Sequence, residues 1–176
     1  MHTFMLALAA ASAIAASAAQ DPQRAMPSGM THEEHLKQLQ KDADLKKRGA
    51  AAMGFDQETT AHHFLLLPDG GAIEASVKDR SDASGRARIR AHLRGIAKAF
   101  AAGDFEKPLA THGEMPPGTS AMRERREAIA YSYEKTRGGG RVRIATKDPA
   151  AVDAIHDFLR YQIREHDTGD PESVRR

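Results

Sequence analysis

A segment that occurs twice constrains the fold of this chain more than any other feature. Gly70-Gly71-Ala72-Ile73-Glu74-Ala75-Ser76-Val77-Lys78-Asp79 returns as Gly139-Gly140-Arg141-Val142-Arg143-Ile144-Ala145-Thr146-Lys147-Asp148. Each copy follows an apolar run and precedes a helical pattern, so the unit reads as strand, turn, strand, helix. Whatever differs between the copies is not demanded by the fold. Where the second copy has Tyr131-Ser132, the first has His62-His63.

The elements follow from periodicity. Residues 61–67 form a first strand, and Pro68-Asp69-Gly70-Gly71 is a hairpin turn. In the next strand Ile73, Ala75 and Val77 face one way, with Glu74, Ser76 and Lys78 opposite. A helix over residues 86–102 aligns Ile89, Leu93, Ile96 and Phe100, and Gly103 ends it. In the second copy Ile129, Tyr131 and Tyr133 alternate with Ala130, Ser132 and Glu134, before a turn at Gly138-Gly139-Gly140. Asp148-Pro149 opens a helix that buries Val152, Ile155, Leu159 and Ile163. Residues 103–125 are a Pro-containing connection, long enough to fold over a sheet face.

Upstream, Thr31-His32-Glu33-Glu34 fits a capping box for a helix over residues 32–47. Its apolar stripe (Leu36, Leu39, Ala43) is thin, so the helix docks on the domain rather than forming its core. The expected fold is therefore two-layer α+β: a duplicated ββαββα unit, a four-stranded, mostly antiparallel sheet with helices on one face, and an added N-terminal helix. The other sheet face mixes Leu65, Leu67, Ala130, Ser132, Glu134, Arg141 and Arg143. That mixture suggests cover by the N-terminal helix or by a second subunit.

Residues 4–16 are apolar or small and end in Ala16-Ser17-Ala18-Ala19-Gln20. This stretch is too short to span a bilayer and suits a cleaved export signal, although it carries no Lys or Arg. The expected organisation is a signal peptide at 1–19, a flexible lead-in and helix at 20–52, a single domain at 53–170 and a frayed tail at 171–176. The expected location is periplasmic or secreted, with no stable membrane anchor. Without cysteine there is no disulfide or thiolate metal site. The net charge of +2 is nearly balanced, and Arg86, Arg88, Arg90 and Arg94 read as a solvated helix face rather than an anion site. No nucleic-acid module is present in the sequence. The partners to expect are a second copy of the chain or another envelope protein.

Histidine carries what chemistry the sequence offers. Adjacent strand residues point to opposite faces, so His62 and His63 belong to different environments. With Asp69-Gly70 at the hairpin centre, His62 lies opposite Val77 on the helix-covered face, within reach of His92, and His156 can join them. His63 then lies opposite Ser76 on the other face, with Glu74 diagonal to it. His112, in the long connection with Met115 three residues on, can fold over His63. Imidazole with thioether suits copper, and imidazole with carboxylate suits zinc. Against this stands a hydrogen-bonded core role for His62 and His92, and simple exposure for His63 and His112. Met26, Met30, His32 and His35 form a further group, whose three-residue His spacing is not that of a zinc protease.

Nucleophile elbows, phosphate loops and dinucleotide fingerprints are absent from the sequence, and no nucleophile accompanies a histidine base. The strings Met53-Gly54-Phe55-Asp56-Gln57, Thr59-Thr60-Ala61-His62-His63-Phe64, Ala102-Gly103-Asp104-Phe105 and Pro116-Pro117-Gly118 resemble a family of small secreted bacterial proteins of uncharacterised function. So do Gly139-Gly140-Arg141-Val142-Arg143-Ile144 and the stretch from Ile155-His156-Asp157-Phe158-Leu159-Arg160 to Thr168-Gly169-Asp170. The resemblance implies an intact, secreted domain and supplies no site residues. The expectation is a protein that binds copper or zinc through His62, His63, His92 and His112, in metal buffering or delivery rather than catalysis. Two alternatives remain open: a metal-free envelope protein acting through its sheet face, and a hydrolase using one histidine as base.

Overall fold

The computed structural model describes residues 29–54 and 59–175. The leader at 1–19, Met26 and the string Phe55-Asp56-Gln57 lie outside the described residues. Two compact units divide the chain, Met1–Gln38 and Leu39–Arg176. In the first, Thr31 and Glu34 cap a helix reciprocally: the Glu34 amide donates to Thr31 Oγ1 at 3.3 Å, and the Thr31 amide to Glu34 Oε2 at 2.8 Å. That helix, α1, spans His32–Met53 and continues into the second unit.

The second unit is α+β. Its strands β1 (Thr60–Leu67), β2 (Gly70–Val77), β3 (Ile129–Lys135) and β4 (Gly139–Thr146) form one four-stranded sheet in the order β1-β2-β4-β3. Every pairing is antiparallel. Helices α2 (Ala83–Ala101) and α5 (Pro149–Glu165) cover one face, α2 over β3 and β4, α5 over β1 and β2. Asp82 caps α2, its carboxylate accepting from the Gly85 amide at 2.7 Å. Asp148 caps α5, accepting from the Ala150 amide at 2.9 Å, with Pro149 at the first helical position. Ile89, Leu93 and Phe100 of α2 meet Ile155, Phe158 and Leu159 of α5 above Leu66, Val142 and Ile144, all buried. This apolar layer supplies most of the driving force for folding.

Two expectations need correction. In the first hairpin Leu67 pairs with Gly70, so Pro68-Asp69 is the turn centre, not Asp69-Gly70. Gly70 is drawn into the ladder: it pairs with Ala145, and a Cβ there would sit 2.4 Å from the Ile144 carbonyl oxygen. Its φ of +131° also requires glycine. His62 therefore lies opposite Ala75 rather than Val77, and His63 directly opposite Glu74 rather than Ser76. The shift of two keeps each residue on its own face.

The long connection, in turn, is largely helical. It contains α3 (Glu106–His112), α4 (Thr119–Glu124) and a 3-10 turn, Arg126–Ala128. Gly113, at φ +76°, ends α3. From Leu39 onward α1 ties to this helical side: Arg48 donates to the Thr111 and His112 carbonyl oxygens at 3.0 and 3.3 Å, and Lys41 pairs with Glu165 at 3.0 Å.

The open sheet face is covered by its own charges. Arg141 pairs with Glu74 at 2.7 Å and reaches Glu134 at 3.6 Å, while Arg143 pairs with Asp69. The tail, expected to fray, lies along the edge of β1. The Phe64 amide donates to Asp170 Oδ2 at 2.9 Å, and the Arg175 amide donates to the Leu66 carbonyl oxygen at 2.9 Å. Among the described residues no helix is long and apolar enough to cross a membrane.

Candidate functional site

One row across the inner sheet face runs His62, Ala75, Gly140. Two of these three have little or no side chain, so the helices above cannot close onto the sheet there. Leu93 and Tyr133 take up the space at Gly140, where an added Cβ would meet them at 3.2 and 2.8 Å. Over Ala75 a cavity of about 70 Å³ remains. His62 of β1, His92 of α2, His112 at the end of α3 and His166 just after α5 all line it, with Gln162 and Lys107. Phe64, Ile73, Ile96 and Phe158 supply apolar wall.

The rings are close. His112 and His166 have centres 5.1 Å apart and cross at 79°, and His62 lies 6.2 Å from His166 with its ring inclined by only 17°. Burial denies the protonated forms their hydration, which depresses all four imidazoles. Desolvation first, then the charges of His63 and Lys78, bring His62 down to about 4. Desolvation followed by Lys107 and His62 brings His92 to about 4. His166 falls to about 3 through desolvation, with His112 and His62 adding to it. His112 is also lowered by desolvation, against the bond it makes to Gln162. At neutral pH the cavity therefore presents four uncharged imidazoles.

His112 Nε2 lies 3.0 Å from Gln162 Oε1. The amide oxygen accepts, so the imidazole proton sits on Nε2 and Nδ1 carries a lone pair. That Nδ1 and Gln162 Nε2 are buried with no hydrogen-bond partner among the described residues. An acceptor and a donor thus remain unused on two side chains that line the cavity. Among the described residues no three His, Asp or Glu side chains stand close enough together to hold a metal ion.

His62, His92 and His112 thus share one cavity, and His63 is elsewhere. Its Nδ1 is 3.0 Å from Asp170 Oδ1, outside the helix layer. The expected pairing of His63 with His112 fails because α3 carries His112 to the opposite side of the sheet. Glu74 is engaged by Arg141, and Met115 is exposed. His156 does not line the cavity either. Its Nε2–H donates to the Leu67 and Gly70 carbonyl oxygens at 2.9 and 3.0 Å, pinning the first hairpin turn. His32 and His35 sit on the first turns of α1, in the other unit.

His166 was not legible in the sequence. It falls three residues before Gly169, the expected helix stop, in a polar stretch without apolar periodicity. It is the C-cap residue of α5, and it lines the cavity.

The chain matches no family model, no curated protein and no solved structure.

Proposed function

We propose that this protein binds a transition metal, copper or zinc, in the cavity lined by His62, His92, His112 and His166. The observation that carries the reading is the lining itself: four imidazoles around a space of about 70 Å³. Organic ligands need several hundred Å³. A metal ion with a few ligands needs no more room than this cavity has. Two imidazoles on one tetrahedral ion hold their ring centres about 5 Å apart, which is the spacing of His112 and His166. Neutral imidazole is also the form that ligates, since protons compete with metal for the same lone pair. Among the described residues no carboxylate lines the cavity, and Lys107 adds positive charge. Burying an ion there without a counter-charge costs as the square of its charge, so a monovalent copper ion is burdened about a quarter as much as a divalent one. Copper(I) is favoured on that ground.

The role we assign is buffering or delivery, outside the cytoplasm, with the leader at 1–19 as the export signal. Residues 60–101 and 129–165 are read as two descendants of one strand–turn–strand–helix unit, with the N-terminal helix as an addition. The matching glycine pairs at 70–71 and 139–140 and the shared element order support this. Among the described residues the open sheet face gives the partner-binding alternative little support, although Leu65 and Leu67 are half-buried there. Its strands carry cross-strand ion pairs, and the large apolar side chains most exposed among the described residues are Leu36, Met115 and Val174.

Metal analysis of the mature protein, purified without chelators, tests the reading. Near-stoichiometric copper or zinc is expected, lost in a His112→Ala/His166→Ala variant and retained in His63→Ala. A protein that takes up neither metal, or whose uptake survives the double substitution, would overturn it.

A further inference from the structure

The densest basic run in the sequence disperses in space. Arg88 donates to Ser84 Oγ, Arg90 to the Thr136 and Gly139 carbonyl oxygens, and Arg94 lies over the Tyr133 ring. Of that run only Arg86 faces a different feature, a groove of about 610 Å³ at the end of the sheet. Lys78 and Arg80 from the loop that follows β2, and Arg137 from the β3–β4 turn, line the same groove.

Four cations from three segments converge here, and among the described residues no carboxylate lines the groove. The acidic neighbours are engaged locally. Asp79 accepts from the Ser81 amide and hydroxyl at 2.8 and 2.7 Å, although the charge of Arg86 also reaches it. Asp82 is occupied as the α2 cap.

A second observation is independent of this convergence. Elsewhere in the protein, among the described residues, each guanidinium has a protein acceptor, a carboxylate or an aromatic ring. Arg48, Arg123 and Arg160 bond backbone carbonyls, while Arg125, Arg141 and Arg143 meet carboxylates. Arg126, Arg164 and Arg175 also face carboxylates. Arg86 donates to the Arg80 carbonyl oxygen. The guanidinium groups of Arg80 and Arg137 have no such partner among the described residues, and both line this groove.

We propose that the groove binds a compact oxyanion of the phosphate class. Guanidinium forks match the paired oxygens of phosphate and carboxylate. Two guanidinium groups without a protein partner among the described residues call for more than one negative charge, which favours a phosphoryl group. Gly138 keeps the floor open, since a Cβ there would lie 3.0 Å from Ser76 Cβ. Among the described residues none lines both this groove and the histidine cavity, so each assignment has its own test, although the charge of Lys78 reaches His62.

The test is titration of the full mature chain with inorganic pyrophosphate, followed by amide chemical shifts. In parallel, the protein is sedimented with vesicles of phosphatidylglycerol or of phosphatidylcholine. Saturable shifts at Lys78, Arg80 and Gly138 are expected, with affinity about tenfold weaker in Arg80→Gln/Arg137→Gln. A charge-matched control, Arg88→Gln/Arg126→Gln, should change affinity by less than about twofold. Binding of pyrophosphate assigns a soluble phosphorylated ligand. Sedimentation with phosphatidylglycerol alone, abolished in Arg80→Gln/Arg137→Gln, assigns a lipid headgroup. Absence of both, or equal loss in the control, overturns the proposal.

Discussion

β1 and β3 are the two edges of one sheet, and both turn an inner face toward the helix layer. They fill it differently. β3 presents Tyr131 and Tyr133: the first meets Phe100 edge-on with ring centres 6.0 Å apart, and Arg94 covers the second at 5.3 Å. Burial alone raises the phenol of Tyr131. β1 presents His62 at the position where β3 has Tyr131, counting from the glycine pair that begins each following strand. A smaller polar ring beside Ala75 leaves a cavity where the other edge has packed aromatic surface. The edges also differ in backbone: the tail from Thr168 to Arg175 covers β1, while no described segment hydrogen-bonds to the outer edge of β3. One fold therefore tolerates both solutions, and a closely packed edge is what it needs only once.

The largest effect that would sharpen this contrast is a loss of stability in mild acid. His62, His92 and His166 are held near 4, 4 and 3 in the folded protein, against an ordinary value of 6.5. The unfolded chain therefore takes up protons first. The stability tied to the neutral rings is complete above about pH 6.5 and drains away as the pH falls toward 4. Each ring contributes a slope of about 1 kcal/mol per pH unit in that window. Urea denaturation midpoints at pH 7 and pH 5 measure it. In a His62→Leu/His166→Leu variant the slope should shrink by the share of those two rings. A wild-type profile flat between pH 5 and 7 would show that water reaches the rings freely, and the cavity would then be a cleft.

Truncation at the matched positions should separate the edges next. Tyr131→Ala removes a ring from packed aromatic surface and should cost about 2–4 kcal/mol. His62→Ala enlarges a void that already exists and should cost about 1 kcal/mol or less at pH 7. Thermal or urea unfolding of the two variants compares them directly. Equal losses would mean that both positions are packed alike and that the contrast between the edges is not a property of the folded chain in solution.

Much of this arrangement was legible in the residues, and the parts that were not have identifiable causes. The antiparallel sheet and the helical faces of α2 and α5 follow from alternation, 3.6-residue spacing and capping at Asp148-Pro149, all local signals. The placement of His62 and His92 near each other followed from strand parity and helix phase. The hairpin register was missed because Pro68-Asp69-Gly70-Gly71 offers two turn centres, and only the close approach of Gly70 to β4 decides between them. His112 was sent to the wrong face because α3 and α4 are short, with little periodicity to expose them. Arg80 and Arg137 lie in separate loops, where no pattern along the chain could join them. What sequence reasoning lacks in each case is a tertiary contact, not a propensity.

An effect smaller than that of Tyr131→Ala concerns the edge itself. Asp170 is nearly buried, its side chain 6% exposed, and it accepts from the Phe64 amide and pairs with His63 at 3.0 Å. Asp170→Ala should cost about 1–2 kcal/mol, since it leaves a strand amide without its acceptor. Amide exchange at Phe64 should quicken, while the exchange of Tyr133 on the other edge stays unchanged. Metal uptake offers a second readout, because the segment that Asp170 fastens begins at His166 in the cavity wall. If the variant exchanges faster at Phe64 yet binds metal as before, α5 alone holds His166 in place. If both change together, the tail is what joins the edge of the sheet to the histidine cavity, and β1 differs from β3 because it carries that attachment.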